Sequence, residues 1–427
     1  MSNDLQRSDK GFLGALKSLT MSNTDRANRN NRSVAEYKPN AIETFFDTAN
    51  GVYNAVISGG DPYFRNKALL AQAVCAKQNN FPVIVLHEGN YQLEQQLRRN
   101  FSVTNQYCEI STRSPCFEPL YGLNELEIAN QILETAPKDY DIKYNARYYI
   151  DGISSFLKAS GKHLSFKLFS TCPHGSIFDK VDDLELQGTI SSYQSQEIKS
   201  KLMTGQSENY KIDTFLSSFK MEIEPFMYKP KQGNKPENIL STLKKGKVLS
   251  FDISSVTNRI LINTIIYQLK LALSKGFQYT VLIDSISVNS NESYANYLKT
   301  PSDKICKTIA SEDFYSMVGS DEKLFSAALG EAQTVIVMNH SSGHTANKWA
   351  EFFGQYDKYE QSYSNTRGRS RRTPFSLFSS PNTSRTVNIS KNREYIVKPE
   401  MITRMGSSEA YVMAASIGQL AHISFNG

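Results

Sequence analysis

Lys67 stands where a phosphate-binding loop would carry its lysine, after a short apolar run (Ala55 to Ile57), a turn with Gly59 and Gly60, and at the head of the helix-forming run from Ala68 to Cys75. The full pattern, G-x-x-x-x-G-K-[ST], curls backbone N–H groups round the phosphates, sets a lysine on them and offers a hydroxyl to Mg²⁺. Here Asn66 precedes the lysine, Asp61 puts a negative charge in the turn, and Ala68 replaces the hydroxyl. A second stretch, Tyr279 to Asp284, is an apolar strand ending in a carboxylate and followed by Ser285. A Walker B site has Glu at that point, and serine cannot orient or deprotonate an attacking water as Glu does. The chemistry outlined is nucleoside triphosphate hydrolysis, and the residues that perform it are missing. Gly59, Gly60, Lys67 and Asp284 are therefore vestigial nucleotide-binding candidates, and no catalytic residue is expected. Taken alone, the Gly59 to Pro62 segment also reads as a tight turn.

The elements that must position these residues alternate. Short β-branched runs near Val52–Ser58, Val83–Leu86, Val248–Phe251, Val281–Asp284, Ile305–Ala310 and Val335–Met338 predict strands. Helical stretches separate them, which points to an α/β core with a mostly parallel sheet. Between residues 120 and 245 strand signals fade. Leu123–Leu133, Tyr144–Leu157, Ile177–Leu186, Ser192–Met203 and Ile212–Phe219 carry helical spacing or composition, predicting an all-α insertion.

Further segments follow in a telling order. His87-Glu88-Gly89-Asn90 closes the second strand, Ser114 to Gly122 is a Pro- and aromatic-containing stretch, Ser311-Glu312-Asp313 follows a later strand, and Arg393 to Glu400 lies near the C-terminus. With these motifs the chain, from about residue 50 to residue 415, resembles the TraG/TraD-type coupling ATPases of conjugation and type IV secretion. The resemblance implies a RecA-like P-loop core and protein partners within a secretion or conjugation complex, an active paralogous ATPase among them. It also implies a helical domain that meets substrate, with nucleic acid as a further partner. ATP and Mg²⁺ are the family's cofactors, but the losses at Asn66, Ala68 and Ser285 argue against both here, so no cofactor is expected. The reading is a catalytically degenerate subunit acting as a structural or substrate-recruiting adaptor. The alternatives are an active or partner-completed ATPase driving DNA or protein transfer, and a DNA-binding accessory protein.

The expected organisation is a disordered polar tail (1–40), a first core part (41–120), the all-α insertion (121–245), a second core part (246–360), a basic Ser/Asn-rich linker (361–392) and a C-terminal part of the core (393–427). In the tail, Phe12, Leu16 and Leu19 share a helical face, either as a short or transient helix resting on the protein's own domain or as a partner-docking or membrane-surface peptide. In the linker Arg367, Arg369, Arg371 and Arg372 are nucleic-acid-binding candidates, since cations on a flexible loop neutralise phosphates without sequence preference. The alternative there is a plain solvated linker. Trp349, the single tryptophan, reads as helix core.

At 427 residues the chain is long enough for about two to three domains. A net charge of +6 permits an anionic partner without requiring one. The five cysteines form no C-x-x-C pair, so no metal site and no disulfide framework is expected. No apolar run of about 18 residues predicts a membrane span. The expected location is cytoplasmic, with a peripheral position at the inner face of the cell membrane as one option. An oligomer is compatible with all of this.

Overall fold

The computed structural model describes residues 34–46, 52–172, 174–230, 235–254, 259–288, 291–301, 303–370, 380–414 and 418–425, together with residues 25, 27, 28, 30 and 32. The Phe12, Leu16 and Leu19 face, Arg371 and Arg372 lie outside the described residues. Two compact units result: one of residues 40–336, and a smaller one in which residues 337–425 join the described residues before 40. The division thus falls inside the stretch 246–360 that the sequence reads as one core segment.

After β1 (Ala35–Asn40), the strands are β2 (Ala55–Ser58), β3 (Val83–His87), β4 (Tyr107–Ile110), β5 (Val248–Asp252), β6 (Tyr279–Asp284), β7 (Ile305–Ser311) and β8 (Thr334–Met338). In the larger unit β2 to β7 lie in the order β4-β5-β3-β6-β7-β2, and β8 spans the division between the units. The pairings from β4 through to β2 are all parallel. Val83 sits opposite both Val248 and Thr280, which fixes the central register. β2, β3 and β6 are buried along their whole length. Continuous apolar runs such as Val-Ile-Val-Leu are what a sheet covered on both faces requires. Although β2 and β3 are consecutive in the chain, β7 and β6 lie between them, so the strand order reverses beside β2. Ligands of open α/β sheets bind at such a reversal, off the carboxyl ends of the strands.

Helix α1 (Pro62–Gln78) follows β2, and α2 (Tyr91–Phe101) follows β3. Between β4 and β5 the chain is helical: α3 (Glu125–Thr135), α4 (Ala146–Ala159), α5 (Phe166–Ser170), α6 (Ile177–Leu186), α7 (Ser192–Thr204), α8 (Asn209–Ile223) and α9 (Ile239–Lys244). Asn124, Ser191 and Asn238 start α3, α7 and α9 with reciprocal capping boxes, each satisfying donors that a helix start leaves open. Phe166 packs on Phe219 at 4.6 Å between ring centres. Gly205 lets α7 close on α4, since a Cβ there would stand 2.6 Å from the Tyr149 nitrogen. The helices share one compact unit with the sheet. They are joined to it through Phe117, whose N–H donates to the Phe226 carbonyl (2.8 Å) and whose ring packs on Phe251 of β5 (5.3 Å). The larger unit continues with α10 (Arg259–Ser274), α11 (Glu292–Lys299), α12 (Phe314–Met317) and α13 (Glu322–Gly330).

In the smaller unit α14 (Gly343–Phe353) buries Trp349 fully, against Phe352 at 5.7 Å and Phe353 at 6.4 Å. The long strands β9 (Gln355–Ser370) and β10 (Ser380–Tyr395) then pair antiparallel over their entire length. Helix α15 (Pro399–Thr403) and the antiparallel pair β11 (Glu409–Ala414) and β12 (Leu420–Phe425) complete it. The ribbon corrects the linker expected over residues 361–392. Its backbone register runs from Gln355 opposite Tyr395 to Ser370 opposite Ser380, an antiparallel ladder that pairs the main chain whatever the side chains.

Candidate functional site

The turn between β2 and α1 is far shorter than a phosphate-binding loop. Gly59 and Gly60 take positive φ (+88° and +67°), which glycine permits at no steric cost, and Asp61 already caps the helix. The Asp61 carboxylate accepts from the Tyr63 N–H at 2.8 Å. Pro62, at the first helical position, has no N–H, and the N–H groups of Phe64 and Arg65 turn back to the Asp61 carbonyl (3.1 and 3.4 Å). The donors at the head of the helix are therefore absent or engaged. The helix starts five residues before Lys67.

Arg65 fills the remaining space. Its Nη1 donates to the carbonyls of Gly59 (2.9 Å) and Gly60 (2.6 Å), and the residue is buried. Burial lowers its pKa, and the charges of Asp284, Glu312 and Asp61 pull it back up. The guanidinium thus supplies the positive charge at this spot from within the protein.

Asp284, at the end of β6, is tied into a side-chain chain. The Asn90 amide donates to Asp284 Oδ2 (2.5 Å) and to Asn66 Oδ1 (2.7 Å), and Asn66 donates to Asn90 Oδ1 (3.3 Å). Asn90 Oδ1 also caps α2 through the Leu93 N–H (3.1 Å). Ser285, held in the left-handed region (φ +59°), donates its hydroxyl to Asp284 Oδ1 at 3.0 Å, while its N–H is bound to the Ala310 carbonyl. Asn90 N–H donates to His87 Nδ1 (3.2 Å), which leaves Nε2 to donate to Ser250 Oγ (2.9 Å). Burial lowers the His87 pKa in spite of Asp252, Asp284 and Glu109 nearby, so the ring is the neutral hub of this network. At the same strand ends burial, Asp284 and Asp252 raise the Glu88 pKa, the mark of accumulated negative charge.

Of the residues expected from sequence, the structure gathers Gly59, Gly60 and Asp284 around Arg65. Lys67 is elsewhere: its ammonium lies 4.5 Å over the Tyr63 ring and 3.9 Å from Glu43. Ala68 is fully buried and presents no hydroxyl. Arg367 and Arg369 lie in β9, opposite Thr383 and Pro381. Arg65 and Asn90 escaped the sequence reading. The signal for Arg65 was the Asp61-Pro62 pair, a capping residue before a first-turn proline, which places Lys67 well inside the helix. The arrangement does not fit Mg·ATP: the N–H groups at the head of the helix are engaged, no hydroxyl follows the lysine, Lys67 lies elsewhere, and a guanidinium occupies the turn. Among the described residues no group of three or more His, Cys, Asp or Glu could hold a metal ion. Nor is any helix there long and apolar enough to cross a membrane.

No protein-family model matches the chain, and no curated protein matches it in sequence. Solved structures do. The plasmid coupling protein TrwB, in complex with a non-hydrolysable ATP analogue, superposes with a TM-score of 0.51 at 13% identity, over 93% of this chain and 91% of that one. This chain shares that protein's α/β fold with its largely parallel sheet. The unbound form of TrwB gives a TM-score of 0.49 at 14% identity, over 87% of this chain and 84% of that one. VirB4 of Thermoanaerobacter pseudethanolicus gives 0.47 at 9% identity, over 90% and 92%. At such identities the likeness speaks for architecture, and the site must be read on its own residues.

Proposed function

We propose that the chain is a non-hydrolysing subunit of a type IV secretion or conjugation machine, a RecA-like scaffold kept as a structural or substrate-recruiting adaptor. The observation that carries this is Arg65 seated on the Gly59 and Gly60 carbonyls, in the turn where a nucleotide's phosphates would lie. Asp61, Ala68 and Ser285 remove the remaining requirements of phosphoryl transfer. The coupling-protein fold supplies the setting, since TrwB was solved with an ATP analogue bound. What is left to do work is surface, with the helices between β4 and β5 as the main partner-binding element. An active paralogous ATPase is among the fitting partners.

The test is equilibrium binding of a fluorescent ATP analogue with Mg²⁺, together with phosphate release, on the purified full chain. No saturable binding and no turnover are expected. Turnover that Asp284→Ala abolishes overturns the proposal and makes the chain an ATPase. Affinity capture from the native host, with the full chain and with a variant whose helical stretch 125–226 is replaced by a Gly/Ser linker, identifies the partner-binding element.

A further inference from the structure

A cavity of about 290 Å³ lies at the opposite end of β2 from the Arg65 turn, where β6 and β7 also begin. Three side-chain amides line it, and each has one half engaged. Asn54 Oδ1 accepts the Lys307 N–H (2.8 Å), Gln333 Oε1 accepts the Asn54 N–H (3.0 Å), and Asn79 Nδ2 donates to the Cys75 carbonyl (2.9 Å). These backbone partners fix which way each amide points. Among the described residues nothing takes up the other halves, so Asn54 Nδ2 and Gln333 Nε2 stand as donors and Asn79 Oδ1 as an acceptor. Thr280 lines the same cavity; it is fully buried, and its hydroxyl has no partner among the described residues. Leaving a buried hydroxyl unpaired is costly, and a ligand bound here removes that cost. The other walls carry no net charge. Phe81 and Tyr279 supply rings, the Tyr279 hydroxyl being spent on the Leu269 carbonyl (2.8 Å). Cys306 donates its thiol to the Tyr53 carbonyl (2.6 Å), and burial pushes that thiol up to about 12, so it is neither charged nor a nucleophile. One anion and one cation, Asp303 and Lys304, stand at the rim.

We propose that this cavity binds an uncharged pyrimidine ring, a flat single ring with two hydrogen-bond acceptors and an N–H. The two amide donors answer the ring's acceptors, Asn79 Oδ1 answers its N–H, and the Thr280 hydroxyl serves either kind of group. Phe81 and Tyr279 offer aromatic surface, which suits a flat ring better than an aliphatic one. The size fits one ring rather than a larger molecule, since drug-sized sites run from about 300 to 1,000 Å³. With the rim charges balanced, nothing calls for a charge on the ligand. The cavity shares no residue with the turn where a nucleotide's phosphates would lie, so this binding is separate from the lost nucleotide chemistry.

The experiment is isothermal titration of the full chain with uracil, with cytosine and with 1,3-dimethyluracil, which keeps the ring and its carbonyls but has no N–H. Saturable binding of uracil or cytosine is expected, with 1,3-dimethyluracil about tenfold weaker than uracil for one lost hydrogen bond. Thr280→Val keeps the shape of the side chain and removes its hydroxyl, so it should weaken binding about tenfold. Gln333→Glu keeps the oxygen that receives the Asn54 N–H and puts a second oxygen in place of the donor; binding should fall at least as far. Circular dichroism melts confirm that both variants are folded. The matching nucleoside identifies the source in either case that supports the site: affinity equal to the free base assigns a ring carried on a sugar, and its loss assigns the free base. No saturable binding of either pyrimidine overturns the proposal. So does binding that 1,3-dimethyluracil matches, or that neither Thr280→Val nor Gln333→Glu weakens.

Discussion

Arg65 closes onto Gly60: one guanidinium nitrogen lies 2.6 Å from the Gly60 carbonyl, and the same nitrogen reaches Gly59 at 2.9 Å. Hydrogen bonds from a charged donor each contribute about 1.5–3 kcal/mol. Arg65→Ala should lower the melting temperature by roughly 5 °C in differential scanning fluorimetry. It should not create nucleotide binding, because Asp61 still caps α1 and Ala68 still lacks a hydroxyl. Saturable binding of a fluorescent ATP analogue by this variant would mean that Arg65 alone blocks the site.

Gly205 marks the tightest helix contact. A Cβ there would meet the Tyr149 nitrogen at 2.6 Å and the Asn145 carbonyl oxygen at 2.8 Å, both backbone atoms that cannot swing aside. Gly205→Ala is expected to cost about 1–3 kcal/mol. Gly330→Ala, where a Cβ meets open space at the end of α13, should be close to neutral. Urea unfolding followed by circular dichroism distinguishes the two.

Two buried carboxylates make stability pH-dependent. Burial pushes Glu118 and Glu222 up to about 7, partly offset by N–H groups that donate to each, Phe166 and Leu120 to the first and Leu261 and Ile260 to the second. In the unfolded chain both titrate near 4.5, so between pH 4.5 and 7 the folded state holds protons that the unfolded state has lost. Their contribution is present below pH 4.5 and is lost as pH rises through 7. Glu222→Gln should flatten the fall in unfolding free energy measured from pH 5 to 8 by about 2–3 kcal/mol and raise stability at pH 8. Were the two profiles to run parallel, Glu222 would not be protonated in the folded protein.

Lys307 works in the opposite sense. Its buried ammonium donates to the carbonyls of Tyr297 (3.0 Å), Leu298 (3.2 Å) and Thr300 (2.5 Å), closing the end of α11. Burial lowers its pKa to about 8. The unfolded chain keeps this proton up to about 10.5, so stability should climb between pH 8 and 10.5. Lys307→Met should remove that climb. At pH 7 it should also cost about 1–3 kcal/mol, because three carbonyls lose their donor. Chemical denaturation at pH 7, 8 and 10 tests both parts.

The sheet was legible because Val83 to Leu86 and Tyr279 to Asp284 are buried on both faces, and full burial writes an unbroken apolar run into the chain. The helices from Glu125 to Ile223 were legible by their spacing. β4, β11 and β12 were missed, although β12 alternates buried Ala421, Ile423 and Phe425 with less buried residues, the period-two signal of a half-covered strand. The ribbon was read as a linker because its Ser-, Asn-, Thr- and Arg-rich composition carries no strand signal, while its backbone pairs from Gln355 with Tyr395 to Ser370 with Ser380. At the candidate site, Asp284 and the two glycines were found by motif. Lys67 was placed by spacing from a pattern whose loop is absent here, and a five-residue shift in where a helix begins moves a side chain to another face.

The strand order carries a consequence for how the protein is made. β2 pairs through Ala55 with Thr308 of β7, and Asn54 accepts from the Lys307 N–H, 253 residues further along the chain. At roughly 5–20 residues per second, a ribosome takes somewhere between ten seconds and a minute to deliver that partner. During this interval the apolar strand Ala55–Ser58 has no neighbour to pair with. Nascent chains stalled shortly before Ile305 should thus be bound by chaperones or aggregate, while those extended past Ser311 can close the sheet.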